Sequence, residues 1–119
     1  MMYETMEIFD TYKKQINKAL EELKLGGSPV RLYEPIRYTL GLGGKRLRPI
    51  LSLAACDLFG GNPEDVLNAA IGLEVFHNFT LLHDDIMDNA PLRRGEETVY
   101  KKWDANVAIL SGDTMFAIA

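Results

Sequence analysis

The chain has 119 residues and a hydrophobic fraction of 47%, which suits one globular domain or part of one. A net charge of −4, with no basic tail at either end, argues against a general nucleic-acid binder, so any anion site must be a local cluster of Lys and Arg. The single cysteine, Cys56, cannot close an intramolecular disulfide, which points to a reducing compartment, and no apolar run approaches the ~18 residues of a membrane span.

The first segment, with Glu4, Glu7, Asp10, Lys13 and Lys14, is too polar for a signal peptide, so a cytoplasmic location is expected. Within it Met2, Met6, Phe9, Ile16, Leu20 and Leu23 recur at helical spacing and predict an amphipathic helix that Gly26-Gly27 ends. Ser28-Pro29 or Glu34-Pro35 opens the next helix, which carries Leu32, Ile36 and Leu40 and stops at Gly41, Gly43 and Gly44. Pro49 fits the first turn of a third helix, Ile50 to Phe59, closed by Gly60-Gly61. Asn62-Pro63-Glu64-Asp65 is a helix start with a capping Asn, a proline and two acids at the positive end of the dipole; a long helix from about Glu64 to Asp88 follows. Pro91 and Gly95 mark a loop, Thr98 caps a short helix through Trp103, and a last helix holds Val107, Leu110, Met115, Phe116 and Ile118. No run alternates cleanly enough to be a strand, so the expected fold class is all-α. The apolar pattern runs to Ala119 without a Gly, Asn or basic cap, from which a chain cut within a helix near 119 is expected: residues 1–119 are read as a single partial domain.

Three clusters carry possible chemistry. Asp84, Asp85 and Asp88 form a D-D-x-x-D run near the end of the long helix, with Asp84 and Asp88 one turn apart on one face. Like charges repel there and a helix C-terminus disfavours acids, which suggests a bound cation. Carboxylates are hard ligands suited to Mg²⁺, which takes one or two of them and completes its shell with water and substrate phosphates. A solvated acidic helix end is the plainer alternative. Gly43-Gly44-Lys45-Arg46-Leu47-Arg48-Pro49 sets three cations beside a glycine loop at a helix start, where backbone N–H groups, the dipole and Arg geometry favour phosphate; a basic surface turn is the alternative. Arg93-Arg94-Gly95 is either salt-bridged to the three acids or shares a metal–phosphate site with them. His77, seven and eleven residues before Asp84 and Asp88, falls within roughly 20° of their line on an ideal helix, whereas His83 does not and is read as structural.

Taken in order, Gly-Gly-Lys-Arg-Leu-Arg-Pro, His77, Asp-Asp-Ile-Met-Asp and Arg-Arg-Gly resemble the all-trans prenyl diphosphate synthase family, as does Gly112-Asp113-Thr114-Met115-Phe116-Ala117. The resemblance covers the whole chain but only the N-terminal portion of the family. It implies the helical bundle of the isoprenoid synthase fold around a deep cavity. It also implies a Mg²⁺-dependent prenyltransferase that condenses an allylic diphosphate with isopentenyl diphosphate through a carbocation. On that resemblance Asp84 and Asp88 are the metal ligands, Asp85 supports them, and Arg93 contacts the allylic diphosphate. Lys45, Arg48, His77 and Arg94 hold isopentenyl diphosphate, with Arg46 a flanking charge. The residues five and four before the first Asp, Phe79 and Thr80, would line the chain-length pocket, and a Phe there resembles short-chain enzymes; core packing is the alternative for Phe79. No second D-D-x-x-D occurs, so the chain is expected to be inactive alone, as a fragment or as a half-domain that assembles with another chain. A homo-oligomer is expected. A terpene cyclase fits the acidic run but not the two basic motifs. A nucleic-acid module conflicts with the net charge.

Overall fold

In the computed structural model, which describes residues 2–119 and side-chain surroundings from residue 4, the first helix α1 covers Met2–Glu21. Its buried stripe is Tyr12, Ile16 and Leu20, spaced by four. The expected series was only half right: Ile16 and Leu20 are buried, but Met6 and Phe9 face solvent, and Met2 lies outside the residues whose side chains are described. Helix α2 covers Val30–Gly41, with Pro29 in extended conformation at its N-cap. Pro35 lies inside α2, so the earlier of the two expected starts is the real one. Helix α3 covers Leu47–Leu58, three residues earlier than expected, and Pro49 still falls within its first turn. Gly60 ends it at φ +84°, with Gly61 N–H reaching the Cys56 carbonyl and Gly60 N–H the Asp57 carbonyl, the paired bonds of a Schellman cap.

The long helix begins as a 3₁₀ turn, Pro63–Val66, whose Asn62 cap accepts from Glu64 N–H as the sequence predicts, and continues as α4, Leu67–Met87. Two short strands follow, β1 (Leu92–Arg93) and β2 (Glu96–Glu97), paired antiparallel with Arg93 opposite Glu96. A loop was expected here; two residues per strand are too few to show alternation in a sequence. Helix α5 is one turn, Val99–Lys102, and α6 covers Ala105–Ile118. Thr98 precedes α5 but does not cap it with its side chain: its hydroxyl donates to the Ala90 carbonyl instead. The side-chain cap in this region is Asp104, which accepts from Val107 N–H at the start of α6. The fold class is all-α, as expected. No helix among the described residues is long and apolar enough to cross a membrane.

The chain divides into two compact units, Met1–Leu23 with Lys45–Glu74, and Lys24–Gly44 with Val75–Ala119. In the first, α1 packs on α3 around Ile16, Leu20, Ile50 and Leu53, and the Tyr12 hydroxyl donates to Asp57 at 2.8 Å. Burial, aided by that hydrogen bond and by the negative charge of Asp57, raises the Tyr12 pKa above its ordinary value. In the second, α2 packs on α6 around Ile36, Leu40, Ala108 and Met115, and the Ser111 hydroxyl donates to the Leu32 carbonyl. An Arg31–Asp104 ion pair on this unit is largely exposed and contributes little.

Candidate diphosphate and metal site

The acidic run sits where α4 is made to stop. Asn89 takes a left-handed conformation (φ 52°), Ala90 N–H bonds the Asp85 carbonyl and Asn89 N–H the Ile86 carbonyl. This is a second Schellman cap, with Asn in the position that favours a left-handed residue. The three acids then separate in role. Asp84 and Asp88 are exposed, while Asp85 is buried and grips Arg93 through two bonds, Nε to Oδ2 at 2.9 Å and Nη2 to Oδ1 at 2.6 Å. Of the two arrangements open for the dibasic loop, the salt bridge to the acids is thus present for Arg93. Its hydrogen bonds to Asp85 raise the Arg93 pKa against partial burial, and the charges of Asp85, Asp84 and Asp88 add to the rise.

Between the strands, Arg94 and Gly95 both have positive φ (53° and 79°), the pattern of a two-residue type I′ hairpin turn. A non-glycine residue there is uncommon and costs conformational energy. Arg94 uses the position to lay its guanidinium against Gly44. A Cβ on Gly44 would lie 2.9–3.1 Å from three guanidinium atoms, and its φ of +130° independently excludes most side chains. The hairpin is pinned from α2 by the Tyr38 hydroxyl, which donates to the Glu97 carbonyl at 2.7 Å. Lys102 Nζ lies 4.3 Å from the centre of the Tyr38 ring, and Trp103 meets that ring edge-on.

In the first unit, Lys45 and Arg48 are exposed on either side of the start of α3. Arg46, at the N-cap, points the other way. It is 4% exposed, makes no capping bond to the helix, and pairs with Glu74 at 3.0 Å and with Asn17 Oδ1 at 3.0 Å. Having no acceptor on its side chain, Arg46 leaves the first-turn N–H groups of α3 without a side-chain cap from the N-cap position.

Around the middle of α4, His77 is half-buried and its carbonyl accepts the Thr80 hydroxyl at 2.6 Å. Phe79 is half-buried, edge-on to Phe76 and His83, and 5.4 Å from the Phe116 ring on α6. His83 also packs across to α6: its Nε2 lies 3.2 Å from the Ile109 carbonyl and 3.6 Å from Asp113, and a Cβ on Gly112 would meet that nitrogen at 2.6 Å. Gly112 is therefore the slot that lets the imidazole in, which supports the structural reading of His83.

Among the described residues no three His, Cys, Asp or Glu side chains converge as a metal cage. Asp85 is withdrawn by Arg93, which leaves Asp84 and Asp88 as two exposed carboxylates one turn apart. That donor set fits Mg²⁺, which needs few protein ligands when a substrate phosphate supplies the rest.

Comparison with known proteins decides the family. The polyprenyl synthetase family model matches residues 29–119. The chain belongs to that family. It is 47% identical to the chloroplastic geranylgeranyl pyrophosphate synthase of Capsicum annuum over 106 residues, covering 87% of this chain and 29% of that protein. A crystal structure of a geranylgeranyl pyrophosphate synthase superposes with a TM-score of 0.89 at 51% identity, covering 92% of this chain and 34% of the other. The corresponding synthase of the archaeon Geoglobus acetivorans gives a TM-score of 0.90 at 42% identity, covering 93% and 36%. The chain thus spans about a third of the length of the relatives it matches.

For a polyprenyl synthetase chain, the sequence motifs had singled out the exposed cations and acids. They left open whether the dibasic loop pairs with the acids, without saying that Arg93 takes Asp85, and they did not reveal the inward turn of Arg46 or the contact between Arg94 and Gly44. A glycine pair is visible in the sequence, but the partner that requires the second glycine lies about fifty residues further on.

Proposed function

We propose that this chain is the N-terminal portion of a Mg²⁺-dependent prenyl diphosphate synthase, a prenyltransferase that condenses an allylic diphosphate with isopentenyl diphosphate. The observation that carries the reading is the division of labour in D-D-x-x-D: Asp84 and Asp88 are exposed, while Asp85 is held by Arg93. In this reading Asp84 and Asp88 would hold Mg²⁺ for the allylic diphosphate, and Asp85, through its two bonds to Arg93, would keep that guanidinium in place for the same anion. Bound there, the metal would neutralise charge on the departing diphosphate. On the family resemblance Lys45, Arg48, His77 and Arg94 are assigned to isopentenyl diphosphate. Phe79 and Thr80 are assigned to the chain-length pocket, Phe79 as its bulky wall. Breaking the allylic C–O bond releases diphosphate and leaves a carbocation, the isopentenyl double bond attacks it to form the new C–C bond, and the proton lost from the resulting cation passes to the released diphosphate, chemistry that requires water to be kept out.

The direct test is calorimetric titration of the chain with inorganic pyrophosphate, with and without Mg²⁺, and with duplex DNA as competitor. Mg²⁺ should tighten binding at least about tenfold, the effect of roughly 1.4 kcal/mol of added charge neutralisation, and DNA should not compete. Pyrophosphate binding indifferent to Mg²⁺ would sink the metal assignment.

Both units expose large apolar side chains, with Leu58 and Phe59 at 81% and 88% exposure in the first and Leu110 and Phe116 both at 58% in the second. These favour a chain that associates, either with its own copies as a homo-oligomer or with further polypeptide. Light scattering should therefore show species above the monomer mass, and a stable monomer at all concentrations would count against this.

A further inference from the structure

The buried cluster of Arg46, Glu74 and Asn17 has no part in the reading above, yet it holds the most deeply buried ion pair among those described. Arg46 and Glu74 side chains are each only 3% exposed. Removing two charges from water is unfavourable, and a well-packed apolar pair in their place is often neutral or stabilising, so such a pair is weak evidence of a purely stabilising role. Arg46 also holds a left-handed backbone conformation (φ 54°, ψ 31°) that residues with a Cβ adopt rarely. Strain of this kind persists where the surroundings over-determine it, and it gathers at functional sites.

The geometry of the cluster says what is determined. Arg46 is the residue at which the glycine loop enters α3, and its carbonyl accepts the N–H of Ile50 to begin the helix. Its guanidinium is held from two directions, Nε by Asn17 of α1 and Nη1 by Glu74 of α4. A planar fork fixed at two points sets the orientation of its own backbone, which a point charge would not do. The residue before it is Lys45 and the second after it is Arg48, both exposed. We propose that Arg46 is a positioning residue: by anchoring the left-handed entry to α3 inside the unit, it aims Lys45 and Arg48 outward at a diphosphate. This inference rests on the reading that Lys45 and Arg48 meet a diphosphate.

The experiment is inorganic pyrophosphate binding by the 119-residue chain, alongside thermal melting. The decisive variant is Arg46→Met with Glu74→Met, which removes one charge of each sign and refills the volume with apolar side chains. The net charge is unchanged, so long-range attraction of the anion is preserved. Loss of preorganisation should weaken pyrophosphate binding about tenfold while the melting temperature stays near wild type. If the double variant melts like wild type and binds pyrophosphate equally well, the pair is merely structural and the proposal is overturned. Should the double variant not fold, Asn17→Ala decides, because it deletes one hydrogen bond to Arg46 and leaves the ion pair. A weakening of about threefold at unchanged melting temperature supports the proposal, and unchanged affinity overturns it. Lys45→Gln separates this from the reading beneath it. If wild type binds no pyrophosphate, or the Lys45→Gln variant binds it as well as wild type does, the diphosphate assignment itself falls and the positioning role with it.

Discussion

Asp84→Ala should lower turnover about a thousandfold in a complete synthase carrying this chain, a loss of about 4 kcal/mol of transition-state stabilisation. The host can be the Geoglobus acetivorans enzyme with its matching N-terminal segment replaced, since that protein superposes on this chain with a TM-score of 0.90. The size follows from how few ligands the site offers. With Asp85 engaged by Arg93, Asp84 is one of only two exposed carboxylates in the motif, so on the proposed metal role its removal would take away half of what this motif offers the metal. The same variant should need much more Mg²⁺ for half-maximal rate. Asp85→Ala should fail differently, because it leaves Arg93 without its two carboxylate bonds while Asp84 and Asp88 remain. Steady-state rates across a Mg²⁺ titration distinguish the two. Turnover unchanged in Asp84→Ala would remove the acidic run from the mechanism.

The largest effect on stability is expected from Glu74→Leu. The substitution strands the Arg46 guanidinium inside the unit, and breaking a buried ion pair from one side costs about 3–5 kcal/mol. Against a typical stability of ~5–15 kcal/mol this is a large fraction. Urea unfolding followed by circular dichroism should show the midpoint fall sharply. A loss below about 1 kcal/mol, the range of exposed pairs, would mean that water reaches the pair.

What the sequence made legible was local. Asn62 capping a helix, Gly60-Gly61 ending one, and the shared face of Asp84 and Asp88 each depend on residues within one or two turns, and all are found in the structure. The family resemblance was equally visible, because the motifs keep their order along the chain. What was not legible depends on distant partners. Arg46 sits between two other cations and reads as one more surface charge. Its acceptors are 28 and 29 residues away in the chain, and only folding brings them to it. Thr98 has the right chemistry for a helix cap, but a carbonyl eight residues back won its hydroxyl. Met6 and Phe9 follow the helical period without being buried, because periodicity shows that a face exists and not that a neighbour covers it.

The two-residue turn of the hairpin has a consequence for how the dibasic pair can vary. Arg93 ends a strand facing Asp85, and Arg94 begins the turn and lies on Gly44, so adjacent and chemically identical side chains serve different addresses. Strand parity sets the side Arg93 faces, and the left-handed turn that follows sends Arg94 elsewhere. Exchanging either arginine for lysine keeps the parity, whereas inserting or deleting one residue between Ala90 and Arg93 reverses it. Length should therefore constrain this loop as tightly as residue type does: Gly95 is held by its positive φ, and a change of length by an odd number before Arg93 would turn its guanidinium away from Asp85.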